Sequence, residues 1–364
     1  MSTPRADVQV RCPICLTALG RRPPRPVLLD ANGNQRPFVP TDRRNRVLTR
    51  AEEMTAFQIC DGDGSESPHH LPLHYAQYGT PLVVGVIGSG ATGKTTLLAA
   101  MIGSLLSASQ TNRLPLRVDA LDLRLHTNFV TRYVNRLLVQ REVLSLTRGE
   151  TIELADALRV RSPVTGRDHA VVFFDVAGEQ LENAERANRF ISALNALIFV
   201  VDGEQLSRRR GQRGAQAAGD LAFEVVLNRL SRVHDHTPQG LLPLPSALVV
   251  AKSDLLRFYG DPELDRWFGY GDAEEFDLST VEEESRDVYR LLYQRGHGYL
   301  RGAERFLRSS LHFASATGTA PDDGRTYAAE GFGPRRTLKP LLSLFQMAGV
   351  LVAPALHPGQ EPHR

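Results

Sequence analysis

Residues 82–95 read LVVGVIGSGATGKT. The first six are apolar and mostly β-branched, which suits a strand buried on both faces. The remaining eight fit G-x-x-x-x-G-K-[ST] without a mismatch. Few short segments restrict a fold so strongly: a strand must run into a tight backbone curl, and a helix must leave it. Glycines permit the curl, successive N–H groups turn inward, and the helix N-terminus adds positive potential. Gly88, Ser89, Gly90, Ala91, Thr92 and Gly93 therefore predict a phosphate cradle, with Thr96 in the first helical turn beside it. Lys94 is expected to reach a β- or γ-phosphate as a point charge, and the Thr95 hydroxyl to ligate Mg²⁺. A bare glycine-rich turn is the competing reading; the strand before it and the helix after it argue against that.

The rest of the chain repeats the alternation. Residues 94–109, 128–146, 180–194, 219–233 and 338–350 read as helices. Residues 157–161, 170–176, 196–201, 246–250 and 311–316 read as strands. Strands alternating with helices predict an α/β fold with a mostly parallel sheet, and the G-x-x-x-x-G-K-[ST] pattern makes a three-layer P-loop NTPase fold the expected form of it. This part is expected to span 81–355, with inserted loops near 206–218 and 258–284 and a disordered tail at 356–364. Arg208, Arg209, Arg210 and Arg213 make the first insertion basic; a solvated loop is the plainer reading and a phosphate-contacting patch the sharper one. Residues 1–80 are rich in Pro, Arg, Asn and Asp and lack apolar periodicity, so they read as a separate small module.

Composition narrows the classes. Of 364 residues, 42% are hydrophobic and 23% charged, which is ordinary for a globular chain and excludes a disordered or fibrous one. The net charge of +2 argues against the chain as a whole being an electrostatic nucleic-acid binder. No run of about 18 apolar residues suggests a membrane span, and the first residues lack the apolar core of a secretory leader. The expected location is cytoplasmic. Among 43 basic residues only Lys94, Lys252 and Lys339 are lysines. Lysine and arginine differ at sites needing a compact ammonium or a slim stem, so each lysine invites an explanation. Lys339 receives none from the sequence.

Three further segments bear on the ligand. Asp175-Val176-Ala177-Gly178 closes an apolar strand, where a carboxylate can hold Mg²⁺ and Gly178 can approach a γ-phosphate. Ala251-Lys252-Ser253-Asp254 follows another strand. An Asp254 carboxylate accepts hydrogen bonds from guanine N1–H and N2–H₂, a donor pair that adenine lacks. The Lys252 stem can lie over a base with its ammonium hydrated. In Ala314-Ser315-Ala316, the Ala316 N–H is a candidate donor to guanine O6. Each pattern alone is common, and a turn or strand end is its plain alternative. Their weight lies in their order and their positions at strand ends.

With GSGATGKT, DVAG, AKSD and SAT in this order, residues 81–350 resemble a GTPase of the translation-factor and Ras-like class. The cysteine-bearing start, the insertions and the closing RTLKPLLSLF segment are similar to the bacterial double-GTPases. That resemblance implies GTP/GDP and Mg²⁺ as ligands, slow GTP hydrolysis, and a protein effector or operon-encoded partners in a multi-protein conflict or signalling system. It also implies a first switch, for which Thr151 is chosen over Thr147 as Mg²⁺ ligand. Arg148 stands three residues earlier, the spacing of an internal arginine finger; a solvated arginine is the plain alternative. Two departures stand out. Ala251 replaces the asparagine that ties the base loop to the phosphate loop in such proteins. Glu179 replaces the water-orienting glutamine, with Gln180 next. Gln180 takes that role, Glu179 substitutes poorly for it, or a partner completes the site. A weakly catalytic nucleotide-binding scaffold, a P-loop ATPase or kinase, and a nucleic-acid-binding regulator are the competing functions.

Cys12-Pro13-Ile14-Cys15 forms a C-P-x-C knuckle, a turn that aims two thiolates at one ion. Cys60 can supply a third ligand. His69, His70 and His74 are candidates for the fourth, since no other cysteine exists. Similarity to zinc ribbons ending in C-H-x-L-P implies His69. The expected ion is Zn²⁺, with free structural thiols as the alternative.

Overall fold

The computed structural model describes residues 10–20, 26–30, 33–62, 68–145, 153–162, 164–177, 184–208, 219–259, 261–268 and 277–351. Two sheets organise the chain. The smaller is antiparallel, with order β2–β1–β3–β4, from β1 (Val27–Leu29), β2 (Gln35–Pro37), β3 (Phe57–Cys60) and β4 (His69–Pro72). Helix α1 (Arg46–Glu53) lies between β2 and β3 in sequence. It starts at Asn45, whose side chain accepts the Leu48 N–H as an N-cap.

The larger sheet has seven strands in the order β11–β10–β9–β5–β8–β7–β6. They are β5 (Leu82–Gly88), β6 (Arg117–Ala120), β7 (Glu153–Arg161), β8 (Asp168–Ala177), β9 (Ala196–Asp202), β10 (Leu242–Ala251) and β11 (Phe306–Phe313). The five strands from β11 to β8 pair in parallel, while β7 and β6 are antiparallel additions. The architecture is therefore α/β with a mixed, largely parallel sheet, preceded by a small antiparallel one. Alternate residues of the apolar strands feed two cores. Val83, Ile87, Val172, Phe174, Phe199 and Val250 face one side. Val84, Val86, Val171, Phe173, Ile198 and Val249 face the other. The second core is covered by α2 (Lys94–Gln110), α11 (Leu338–Met347) and a helical run made of α3 (Leu123–Phe129), a π-turn (Val130–Val134) and α4 (Asn135–Leu138). The first is covered by residues of α5 (Ala184–Ala193), α7 (Leu221–Val233), α9 (Val281–Arg295) and α10 (Arg301–Glu304).

Val10, Cys12, Cys60, Leu71 and Tyr75 belong to this same first core, so the small sheet is packed into the large one. A backbone bond from Leu123 N–H to the Met54 carbonyl (2.8 Å) crosses the junction. Among the described residues no helix is long and apolar enough to cross a membrane.

Several element boundaries differ from the sequence reading. The helix expected over 128–146 starts five residues earlier, where the Asp122 carboxylate caps the Leu125 N–H, and it ends at Leu138. The start of the 206–218 insertion is part of helix α6 (Gly203–Arg208). The 258–284 segment holds α8 (Pro262–Asp265) and the first turn of α9. Residues 209–218, 269–276 and 352–364 lie outside the described residues.

Candidate nucleotide site and metal centre

β5 sits between β8 and β9, so the strand order reverses there, and the crevice at the carboxyl ends of the strands is where open α/β sheets bind ligands. The loop leaving β5 curls through positive φ at Ala91 (60°) and Gly93 (86°). Gly93 is the residue before α2 and has no side chain, so the first N–H groups of that 17-residue helix lack a side-chain cap. An uncapped N-terminus is an anion site. Gly88 ends β5, and Ser89, Gly90, Ala91 and Thr92 make the turn. The Ser89 carbonyl accepts from the Thr92 hydroxyl (3.0 Å) and from the Lys94 ammonium (2.7 Å). Lys94 is buried and held inside the curl.

Beside it, the Thr95 hydroxyl donates to the Asp175 carboxylate. The two residues expected to share Mg²⁺ are thus in contact, although 80 positions separate them. A hydroxyl and a carboxylate, both oxygen donors, suit that hard cation.

The segments expected to read a base converge on the same edge. Lys252 has positive φ (52°). Its ammonium is engaged rather than merely hydrated, contacting the Ala91 carbonyl (3.1 Å), Asp202 Oδ2 (3.1 Å) and Glu204 Oε2 (3.4 Å). Lys252 therefore ties the two loops together, a link for which the sequence with Ala251 offered no candidate. Asp254 is buried, and its Oδ1 accepts the Ser315 hydroxyl at 2.5 Å. The Ser315 oxygen accepts in turn from the Gly318 N–H (2.8 Å). Gly93, Thr96, Lys252, Asp254, Ser315 and Ala316 line one cavity of about 330 Å³, within the range of small-molecule sites. Arg148, Thr151, Gly178, Glu179 and Gln180 lie outside the described residues.

One residue escaped the sequence reading. Asp220 caps α7 through Oδ1 on the Ala222 N–H (2.8 Å), and its Oδ2 accepts the Ser89 N–H (2.8 Å). It ties the loop after β5 to the start of α7. An aspartate at a predicted helix start is a capping signal; its second partner, 131 residues away, leaves no local trace.

Near the small sheet, Cys12, Cys15, Cys60 and His69 come together with all four ligand atoms within 4.8 Å of one another. The knuckle closes through Leu16 N–H to the Cys12 carbonyl (3.0 Å), with Leu16 at φ 66°. Cys12 Sγ lies 3.8 Å from His69 Nδ1, and Cys15 Sγ 3.4 Å from Cys60 Sγ. Tetrahedral coordination at a metal–sulfur distance of ~2.3 Å puts ligand atoms ~3.8 Å apart, so this donor set fits a metal ion. Burial pushes the Cys12 thiol well up from its ordinary value, a cost that a bound cation would offset. His70 is turned to Gln35 (2.9 Å) and His74 to Gln77 (2.6 Å), which leaves His69 as the histidine of the cluster.

No protein-family model matches the chain. No curated protein matches it either. Among solved structures, it is similar to the S. cerevisiae Ski7 GTPase-like domain bound to GTP, with 14% identity and a TM-score of 0.34, over 73% of this chain and 50% of that one. It is also similar to the bacterial selenocysteine-specific elongation factor EF-Sec, with 16% identity and a TM-score of 0.26, over 65% of this chain and 26% of that one. The chain thus spans half or less of the length of these structures, and the likeness to both is distant.

Proposed function

We propose that this chain is a guanine-nucleotide-binding switch that hydrolyses GTP slowly with Mg²⁺. The observation that carries the reading is one cavity in which the helix start after the phosphate loop, the Lys252 tie and the buried Asp254 carboxylate meet. A carboxylate keeps acceptor capacity beyond the Ser315 hydroxyl, and guanine offers two adjacent donors to it. Thr95 and Asp175 would hold Mg²⁺, which supplies charge neutralisation at the β- and γ-phosphates. Lys94 orients the same phosphates. Arg148, Thr151, Gly178, Glu179 and Gln180 remain the proposed switch and water-positioning residues. A protein effector in a bacterial multi-protein conflict or signalling system, in the cytoplasm, is proposed from the sequence resemblance.

The test is nucleotide analysis of the purified protein. Guanine nucleotide is expected to be released on denaturation of the wild type, and Lys94→Ala should lower equilibrium GTP binding at least tenfold by losing a charged hydrogen bond, on the order of 1.5–3 kcal/mol. Adenine nucleotide in the wild type, or none bound at millimolar concentration, would overturn the reading.

For the cysteine cluster we propose Zn²⁺ in a Cys₃His site. Elemental analysis should find about one zinc per chain, with Cys60→Ala losing most of it, because structural zinc takes four ligands. Zinc retained at the wild-type level in that variant would refute the site.

A further inference from the structure

The nucleotide cavity has a wall that the four motifs do not supply. Between β11 and α11 the chain makes an excursion over residues 318–336, and Thr319, Pro321 and Tyr327 from it line the cavity together with Asp254 and Lys252. We propose, resting on the guanine-nucleotide reading, that Tyr327 contacts the bound base, its ring covering the purine and adding affinity that does not depend on which purine it is.

The excursion is a braced strap. Its two ends are joined by paired backbone bonds between Ser315 and Arg335 (3.0 and 2.8 Å) and by Gly333 N–H to the Thr317 carbonyl (2.9 Å). Gly318 lies at φ 71°, and a Cβ there would stand 2.9 Å from the carbonyls of Gly331 and Gly333, so the two limbs touch where a side chain has no space. At the far end, Asp323 Oδ1 accepts the N–H groups of Arg325 (2.8 Å) and Thr326 (2.7 Å). The strap is then clipped to the segment after α4. Tyr327 N–H donates to the Arg141 carbonyl (2.8 Å), and Val143 N–H to the Arg325 carbonyl (2.7 Å). The Tyr327 backbone is thereby fixed on one side and its ring packs on Phe332, with centroids 5.4 Å apart. The phenol is half-buried, and its ionisation is pushed up first by burial and then by the negative charge of Asp254, the proposed base acceptor. An aromatic ring fixed in advance within electrostatic reach of that carboxylate suits a planar ligand. Stacking on a base accepts any purine; discrimination is left to Asp254.

The experiment is isothermal titration of wild type, Tyr327→Ala and Tyr327→Phe with GDP, IDP and inorganic tripolyphosphate. Tyr327→Ala should weaken GDP and IDP by the same factor, about tenfold, as expected for a base–aromatic contact. Tripolyphosphate, which has no base, should bind unchanged, and Tyr327→Phe should keep GDP affinity within about twofold. GDP binding by Tyr327→Ala at the wild-type level overturns the inference and leaves the guanine reading intact. So does an equal loss for tripolyphosphate, which would mark the ring as structural support only. A wild type that takes tripolyphosphate but neither GDP nor IDP overturns both.

Discussion

Asp254→Asn is expected to weaken guanine-nucleotide binding about 100- to 1,000-fold, or ~3–4 kcal/mol, and to improve xanthine-nucleotide binding relative to it. The substitution keeps the oxygen that accepts the Ser315 hydroxyl, so the loop between β10 and the following turn has no reason to move. What changes is the edge facing the base. An amide –NH₂ would confront the N1–H and N2–H₂ donors of guanine, leaving buried donors unpaired, whereas xanthine carries an acceptor at C2. Competition binding with guanine, xanthine and adenine nucleotides reads the outcome. Unaltered selectivity would sink the assignment of Asp254 as the base reader and favour an ATPase or kinase.

The second large effect concerns stability. Glu284→Gln is expected to cost about 3–5 kcal/mol at neutral pH, the usual result of removing one member of a buried ion cluster. Glu284 on α9 is fully buried. Its Oε1 accepts the Phe313 N–H (2.9 Å), and its Oε2 lies 3.2 Å from His312 Nδ1, 2.9 Å from an Arg336 nitrogen and 3.6 Å from Lys339 Nζ. Burial alone would raise its carboxyl; His312 and Arg336 outweigh burial and hold it at about 2, against an ordinary 4.5. Because the folded value is depressed, the stabilisation is present above pH 4.5 and fades as pH falls through 2. The gap between wild type and Glu284→Gln should therefore narrow below pH 4.5. Denaturant unfolding followed at Trp267 measures it. That single tryptophan has Arg336 at 4.8 Å and Lys339 at 5.9 Å from its ring, so it reports on the cluster directly. A gap that is constant with pH would mean that the carboxylate's charge is not what matters.

This cluster also explains what the sequence concealed. The parallel strands were legible because strands buried on both faces need unbroken apolar runs, as in β5, β9 and the second half of β10. The tight curl between β5 and α2 was legible because its glycines form a local string. Helix α9 was not. Its buried face comprises Glu284, Val288, Leu291, Leu292 and Arg295. Two charged residues stand on that face, and a periodicity count assigns such residues to solvent. Lys339 is hidden for the same reason: its sequence context near a helix start offered no explanation for it, and it is fully buried against Glu284 and Thr280. β1 and β2 have three residues each, and β2 is exposed throughout, so no alternation existed to read. In the site, partners such as Asp220–Ser89 and Lys252–Ala91 meet only through the sheet's topology. Tyr327 belongs to a segment held by backbone bonds, which carry no side-chain pattern.

Cys12 and Cys60 share one apolar cluster with Val83, Ile87 and Val201 of the large sheet. A consequence follows by mass action. Any ion that binds the cysteine cluster only in the folded chain adds its occupancy term to the stability of everything that unfolds with that cluster. Such an ion would then act on the strand-end cavity without touching it, through the folding equilibrium that the cluster and the large sheet have in common.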